Sequence, residues 1–413
     1  MIRKLTLALP ALVLVLVLGA GAALAGSSRT QADPGVSERE IVIGATTPLS
    51  GPFSSVSSVT VGANAYFKYV SARGGVSGRK ITFKYLDDQY DPAKTVQLTR
   101  QLVEQDKVFA IFNSIGTEHN LAVRDYLNAN KVPQVFAASG STTLGRDGSK
   151  YPSAIGFQPS YQAEGWVYGK YLARTRPGAR VAVLFQNDDY GKDLLNGLKR
   201  GLQRSKVKVV AAEPYEPTAV DVQAQVAKLR GGGADTFAVF AVGKFAIQAY
   251  VFANRLGWKP KLVINNIVSS ASNVMTIAGE GGTNKLVDAT VSGVFLKDPT
   301  DPKWRSDAGI KLYQQILKRY APGANAADPY HVYGMAAAFT LVEALKKAGR
   351  TPTRAGLVKA VAALNVTKNP FMIPGILIKT GPNDHFPIEQ MLLQRWQKTS
   401  WKSFGGLWGY RGA

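Results

Sequence analysis

From Ser37 onward, short apolar runs alternate with longer stretches in which apolar residues recur at helical spacing. Ile41-Val-Ile-Gly-Ala, Ile81-Thr-Phe-Lys-Tyr, Val108-Phe-Ala-Ile-Phe and Val132-Pro-Gln-Val-Phe read as buried strands, and Val96, Leu98, Leu102 and Val103 mark one of the helices between them. The rhythm restarts at Arg180-Val-Ala-Val-Leu-Phe and continues through Val207-Lys-Val-Val-Ala, Thr236-Phe-Ala-Val-Phe-Ala and Lys261-Leu-Val-Ile. Strands that alternate with helices in this way build parallel sheets covered on both faces. The pattern therefore predicts an α/β protein of two doubly wound lobes.

A stretch rich in Gly, Ser and Thr, Ser139 to Gln158, separates the two series, and a helical pattern from Tyr161 to Thr175 opens the second. Another break spans Asp288 to Asp301, after which helices expected over Trp304–Tyr320, Tyr330–Ala348 and Thr353–Ala363 have no strands of their own. They are expected to return to the first lobe, before Met391-Leu-Leu-Gln-Arg-Trp goes back to the second. The division is thus residues 37–158 and 290–375 for the first lobe, 159–289 and 376–400 for the second, and 401–413 as a C-terminal tail. Residues 1–25 stand apart: Arg3 and Lys4 precede an apolar run from Leu5 to Ala23, and Ala23-Leu24-Ala25 is the small-x-small pattern of a signal-peptide cleavage site. Export follows, to a periplasm or a cell surface. The sequence has no Cys to carry a lipid, so it is not expected to be a lipoprotein.

With 46% hydrophobic and 19% charged residues in 413, the chain is neither disordered nor fibrous. The absence of Cys excludes disulfides, thiolate zinc sites, iron–sulfur clusters and thiol nucleophiles. Fifty Lys+Arg against 28 Asp+Glu give a net charge of +22, and +20 once residues 1–25 are removed. These cations are scattered, as at Arg73, Arg79, Lys80, Lys311, Lys318 and Arg319, which reads as a solvated basic surface and not as a nucleic-acid groove. There is no phosphate loop, no Gly-x-Gly-x-x-Gly directly after a strand and no Gly-x-Ser-x-Gly elbow. His119, His331 and His385 lie far apart, and Asp87-Asp88 and Asp188-Asp189 read as helix caps before they read as metal ligands. No catalytic set, cofactor or metal site is expected.

In open α/β sheets a ligand sits beyond the carboxyl ends of the strands. The loops there are Thr46-Thr-Pro-Leu-Ser-Gly-Pro-Phe-Ser, Asn113-Ser-Ile-Gly-Thr and Ala137-Ala-Ser-Gly-Ser-Thr-Thr. Small hydroxyl residues and bare N–H groups at helix starts bind anions without a formal cation.

Six segments, in order, carry a family likeness: Ile41-Val-Ile-Gly-Ala-Thr-Thr-Pro-Leu-Ser-Gly-Pro, Asp87-Asp-Gln-Tyr-Asp-Pro, Phe112-Asn-Ser-Ile-Gly-Thr, Lys131-Val-Pro-Gln-Val-Phe-Ala-Ala-Ser-Gly, Gln186-Asn-Asp-Asp-Tyr-Gly-Lys-Asp and Ile277-Ala-Gly-Glu. Together they resemble the solute-binding proteins of branched-chain amino acid ABC transporters. The resemblance implies a type I periplasmic-binding fold: two lobes joined by a three-segment hinge, closing over a small solute and docking on the permease subunits of a membrane transporter, as a monomer without catalysis. It also implies that Ser114 and the backbone of Ala138, Ser139 and Gly140 meet a carboxylate, and that Phe53 is the aromatic residue of the first loop. Gly140 stands where amino-acid binders bring a Thr near the ammonium, and Asn265 and Asn266 stand where an acidic residue pairs with it. A buried ammonium without an anion is costly, so the expected solute has a carboxylate or amide but no amino group. Ser114, Ser139 and Ser141 are expected to hold its head, with Ser50 and Asn113 from the adjoining loops. Phe53, Tyr161 and Tyr190 flank its body, and Asn265 or Asn266 fixes the far end. A binder of branched-chain amino acids proper, or a ligand-sensing receptor domain, is the alternative.

Overall fold

A computed structural model describes residues 1–2 and 32–410. The expected signal peptide lies outside the described residues, apart from its first two. The first series runs β1 (Glu40–Thr47), α1 (Ser58–Ser71), β2 (Lys80–Asp87), α2 (Pro92–Glu104), β3 (Ala110–Phe112), α3 (Thr117–Ala129), β4 (Gln134–Ala137), α4 (Thr142–Arg146) and β5 (Ala154–Gly156). Its strands form a parallel sheet in the order β2-β1-β3-β4-β5. The second runs α5 (Tyr161–Thr175), β6 (Arg180–Gln186), α6 (Asp189–Leu202), β7 (Lys208–Tyr215), α7 (Gln223–Gly231), β8 (Thr236–Phe240), α8 (Lys244–Arg255), β9 (Lys261–Ile264), α9 (Thr276–Ala278) and β10 (Val291–Val294). Then come α10 (Ala308–Tyr320), α11 (Pro329–Lys347), α12 (Arg354–Val361), the short β11 (Asn365–Val366) and β12 (Ile378–Lys379), and the hairpin β13 (Gln390–Gln397) and β14 (Ser400–Gly409). The second sheet is β14-β13-β10-β9-β8-β6-β7, parallel except where β13 and β14 join it.

Two cores result. Ile43, Phe67, Phe112 and Val135 of the first lobe share one with Ile310, Met335 and Leu357, so α10, α11 and α12 cover the first sheet. Val183, Leu198, Phe240, Ile264, Met391 and Trp396 belong to the other. Helix starts are set by side chains: Asp91 accepts from Ala93 N with Pro92 at the first helical position, Ser160 from Ala163 N, Asp188 from Gly191 N and Asp328 from Tyr330 N.

The lobe boundaries sit where the apolar side chains go. Tyr161 is in the second core and Phe157 in the first. β10 pairs with β9 and β13, so residues 291–294 stay with the second sheet, and Phe295 is the first residue in the other core. Residues 376–388, assigned from sequence to the second lobe, remain with the first: Ile376, Ile378 and Ile388 pack in its core, and β12 pairs with β11. Residues 401–409, expected as a tail, are an edge strand paired with β13, where Trp401 meets Trp396 edge-on and its indole N–H donates to Ser269 O.

Among the described residues no helix is long and apolar enough to cross a membrane, and no three acidic or histidine side chains converge as a metal site.

Candidate functional site

A cavity between the lobes, beyond the carboxyl ends of both sheets, amounts to about 1020 Å³ counted to its mouth. The first lobe contributes Phe53, Val56, Val59, Tyr90, Ile115, Gly116, Thr117 and Ala138. Tyr161, Tyr190, Val242, Asn266, Ile267, Ser269 and Ser270 come from the second, and Phe295, Lys297, Asp298, Tyr330 and Tyr333 from the return of the chain. Aromatic rings dominate the wall. Phe53 stacks on Tyr90 at 4.1 Å, and Tyr161 meets Tyr190 edge-on at 5.0 Å. Burial raises the hydroxyl pKa of each wall tyrosine, so all are neutral donors.

Of the twelve residues expected from sequence, Phe53, Ala138, Tyr161, Tyr190 and Asn266 line this space. The other seven do not, and the hydrogen bonds of most of them show why. Ser50 is exposed, its hydroxyl donating to Asp87 Oδ2 at 2.6 Å. Ser114 Oγ accepts from Thr46 N at 3.0 Å. Ser139 Oγ lies 2.8 Å from Thr117 Oγ1 and accepts from Ser141 N at 3.1 Å, while the buried Ser141 hydroxyl has no protein partner. Asn113 Nδ2 donates to Phe136 O at 2.6 Å, joining two residues that both carry φ of +56°. That left-handed geometry is an outlier for a bulky residue such as Phe136 and ties the ends of β3 and β4 together. Asn265, with its amide nitrogen turned toward Val239 O and Ala241 O at 3.2 Å each, braces Tyr190. Gly140 has a steric reason: a Cβ there would lie 2.4 Å from Pro159 O and 3.0 Å from the Tyr161 ring. The hydroxyl-rich loops thus build the wall from behind. Ser114→Ala is expected to cost about 1–3 kcal/mol of stability by stranding Thr46 N–H. Thermal unfolding should register that loss, and a titration should find solute affinity within about twofold.

Few charges face the interior. Lys297 Nζ is held by Asp307 Oδ1 at 2.8 Å, Asp307 Oδ2 at 2.9 Å and Pro370 O at 2.9 Å, so its charge is spent. Asp298 Oδ1 accepts from Thr300 N and Oγ1 at 2.7 Å each, and burial raises its pKa. Among the fully buried wall atoms of the described residues, Tyr333 OH and Gln158 Oε1 make no hydrogen bond of good geometry, although Tyr333 lies within reach of the Gln158 and Asn113 side chains. Gly116 and Thr117 bring the start of α3 to the wall, and no side chain caps it; first-turn N–H groups of such a helix are unsatisfied and carry the positive end of its dipole.

One acidic residue went unread in the sequence. Glu164 on α5 is fully buried, accepting from Tyr168 OH and Asn266 N at 2.5 Å each and from Asn266 Nδ2. It has no cation beside it, and burial pushes its carboxyl up to about 7 against those hydrogen bonds. It holds Asn266 in place at the pocket edge. In the sequence it looks like any polar residue of an amphipathic helix, and Tyr90, Phe295, Tyr330 and Tyr333 gave no signal either.

Bonds cross the cleft around the pocket. Tyr330 OH donates to Ile267 O at 2.8 Å, Thr142 N to Asp193 Oδ2 at 2.8 Å, and Asp189 N to Glu118 Oε1 at 3.1 Å. Two lobes shut over an aromatic cavity, with linkers passing between them three times, define a solute-binding module. Residues 40–400 match the family described as periplasmic binding protein. The chain belongs to that family, and its type I periplasmic-binding fold is the one inferred from the motifs. A Leu/Ile/Val-binding protein homologue of Brucella melitensis is 23% identical over 327 residues, spanning 78% of this chain and 83% of the relative. The branched-chain amino acid ABC transporter protein of Thermus thermophilus with bound valine superposes with a TM-score of 0.80 at 18% identity, covering 91% of this chain and 98% of its own. A fatty acid ABC transporter substrate-binding protein of Thermomonospora curvata gives 0.76 at 21% identity, with 92% and 95% covered.

Proposed function

We propose that this protein is an extracytoplasmic receptor of an ABC importer, capturing a small solute with an apolar body and a carboxylate or amide head by lobe closure and delivering it to a permease. The observation that carries the reading is the wall itself: aromatic rings on several sides, a lone lysine whose charge is spent, and an uncapped start of α3 facing the cavity. A carboxylate or amide oxygen at Gly116 and Thr117 meets first-turn N–H groups and needs no cation. Phe53, Tyr90, Tyr161, Tyr190 and Tyr333 enclose the body, and Asn266 offers an amide beside it. Cross-cleft bonds such as Tyr330 to Ile267 form only when the lobes meet, so solute binding and closure reinforce one another. No step makes or breaks a covalent bond.

A second reading has one observation in its favour. Asp298 is a wall carboxylate, and an ammonium placed against it would be paired, as a branched-chain amino acid requires. The two readings separate in a thermal-shift panel on protein stripped of solute by unfolding and refolding. Amino-free aliphatic and aromatic carboxylates and their amides are compared with leucine and valine. At a hundred times its dissociation constant, a true ligand adds about 2.7 kcal/mol. Stabilisation by the amino-free compounds alone is the expected outcome; stabilisation by leucine that disappears in Asp298→Asn would establish the second reading instead.

A further inference from the structure

The outer face of α5 and the hairpin β13–β14 carry a ladder of rings and cations that the solute site does not use. Arg174 lies over Trp408 at 4.7 Å, Arg395 over Phe404 at 4.7 Å, Lys170 over Trp166 at 5.6 Å and Arg200 over Tyr410 at 5.9 Å. The rungs are joined: Trp166 packs on Tyr410 at 5.4 Å and Tyr171 on Phe404 at 5.9 Å. Trp166, Lys170 and Arg174 are spaced four residues apart, so they form one stripe along about 12 Å of α5. Trp166, Phe404, Trp408 and Tyr410 are each partly exposed, at the free edge of the seven-stranded sheet. Among the described residues, none of Lys170, Arg174, Arg200 and Arg395 has a carboxylate within ion-pair distance, although other surface cations of this chain do, such as Lys84 with Asp106 and Arg124 with Asp147.

Amphipathic rings interleaved with unpaired cations suit one environment well. At the headgroup level of an anionic bilayer, Trp and Tyr rest with the ring in the apolar zone and the polar edge in water, while Arg meets phosphate with its forked donors. We infer that this face docks the protein on an anionic phospholipid surface, and that the net charge of +20 without residues 1–25 assists the approach. An acidic protein partner would need only the cations; the partly exposed rings favour lipid.

The test uses the mature chain in co-sedimentation with vesicles of phosphatidylcholine alone or with about a third phosphatidylglycerol, at near-physiological salt. Binding only to the anionic vesicles is expected. Lys170→Ala with Arg174→Ala should lower the partition coefficient by about fivefold per cation removed. Lys318→Ala with Arg319→Ala, the same charge change on the exposed side of α10, should lower it by no more than about twofold. Trp408→Ala should weaken binding with no change of charge. If that variant melts early, the two charge pairs still decide the matter. The inference is overturned by absence of binding, by equal binding to both vesicles, or by equal losses in the two charge pairs, which would make the overall charge and not this face responsible. Variants that lower the melting temperature but leave vesicle binding unchanged would make the ladder a stabilising device only.

Discussion

Gly169→Leu is expected to unfold the second lobe. A Cβ at 169 would lie 2.5 Å from Leu198 O and 2.7 Å from Gly201 Cα, and one at Gly165 would lie 2.2 Å from Leu194 O. The opposing helix answers in kind, with Gly197 against Gln162 O at 2.2 Å and Gly201 against Trp166 O at 2.3 Å. α5 and α6 therefore touch backbone to backbone, and every neighbour that must move is main chain. A single added methyl should cost about 1–3 kcal/mol, as overpacking usually does, and leucine well beyond 4 kcal/mol. The same helices begin at Tyr161 and Asp189, so forcing them apart also carries Tyr161 and Tyr190 out of the pocket wall. Urea unfolding followed by circular dichroism reads the first effect and a solute titration the second. Gly231→Ala is the control: nothing lies within 4 Å of its Cβ position, so stability should hold or rise slightly. Equal behaviour of the two alanine variants at 169 and 231 would refute the close packing of α5 on α6.

Glu164 should make the protein less stable as pH rises. Its carboxyl titrates near 7 in the folded chain, against an ordinary 4.5, because burial disfavours the anion more than three hydrogen bonds favour it. The folded state then holds a proton that the unfolded chain releases, so stability is greatest below about 4.5 and falls until pH passes about 7. The whole descent is about 3 kcal/mol. Asp188, raised by burial to about 6, slopes the same way. Glu164→Gln keeps the shape and removes the charge; a turn of the Asn266 amide restores its bond. That variant should be flatter with pH and, at pH 8, about 2–3 kcal/mol more stable than the parent. Glu164→Ala should instead lie about 3 kcal/mol below the parent under pH 4.5, since it strands Tyr168 OH and Asn266 N–H in the interior, and the gap should narrow toward pH 8 as the parent loses the contribution of Glu164. Melting curves of the three proteins from pH 4 to 8 decide the point: an undiminished slope in Glu164→Gln would transfer it to Asp188.

How much of this was legible beforehand differs between fold and site. The alternation of apolar runs and amphipathic stretches specified two α/β series, because a strand buried on both faces is nearly continuously apolar, as Phe237-Ala-Val-Phe of β8 is. Motif order specified the family. Residues from the loops after β1, β3 and β4 line the cavity, since in such sheets these loops face the cleft whatever their residues. What their hydroxyls contact is decided by the fold. The Ser114 hydroxyl accepts from Thr46 N, and the Ser139 hydroxyl pairs with Thr117 and accepts from Ser141 N, so both brace the loops behind the wall. Chain-local reasoning cannot count a donor that arrives from 68 residues away.

Composition, charge, export pattern, the alternation of strands and helices in each series and family were set by the sequence alone, because each depends on local period or on residue type. Only the tertiary structure decided that Tyr330 and Tyr333, at the start of a late helix, face Tyr161 and Phe53 across one cavity. Likewise, it alone made Glu164 an interior acid and turned residues 401–409 from an expected tail into the edge of a sheet. The physical reason is common to all three. Burial and hydrogen-bond satisfaction are properties of what arrives from elsewhere in the chain, and a side chain carries no mark of its neighbours until the fold supplies them.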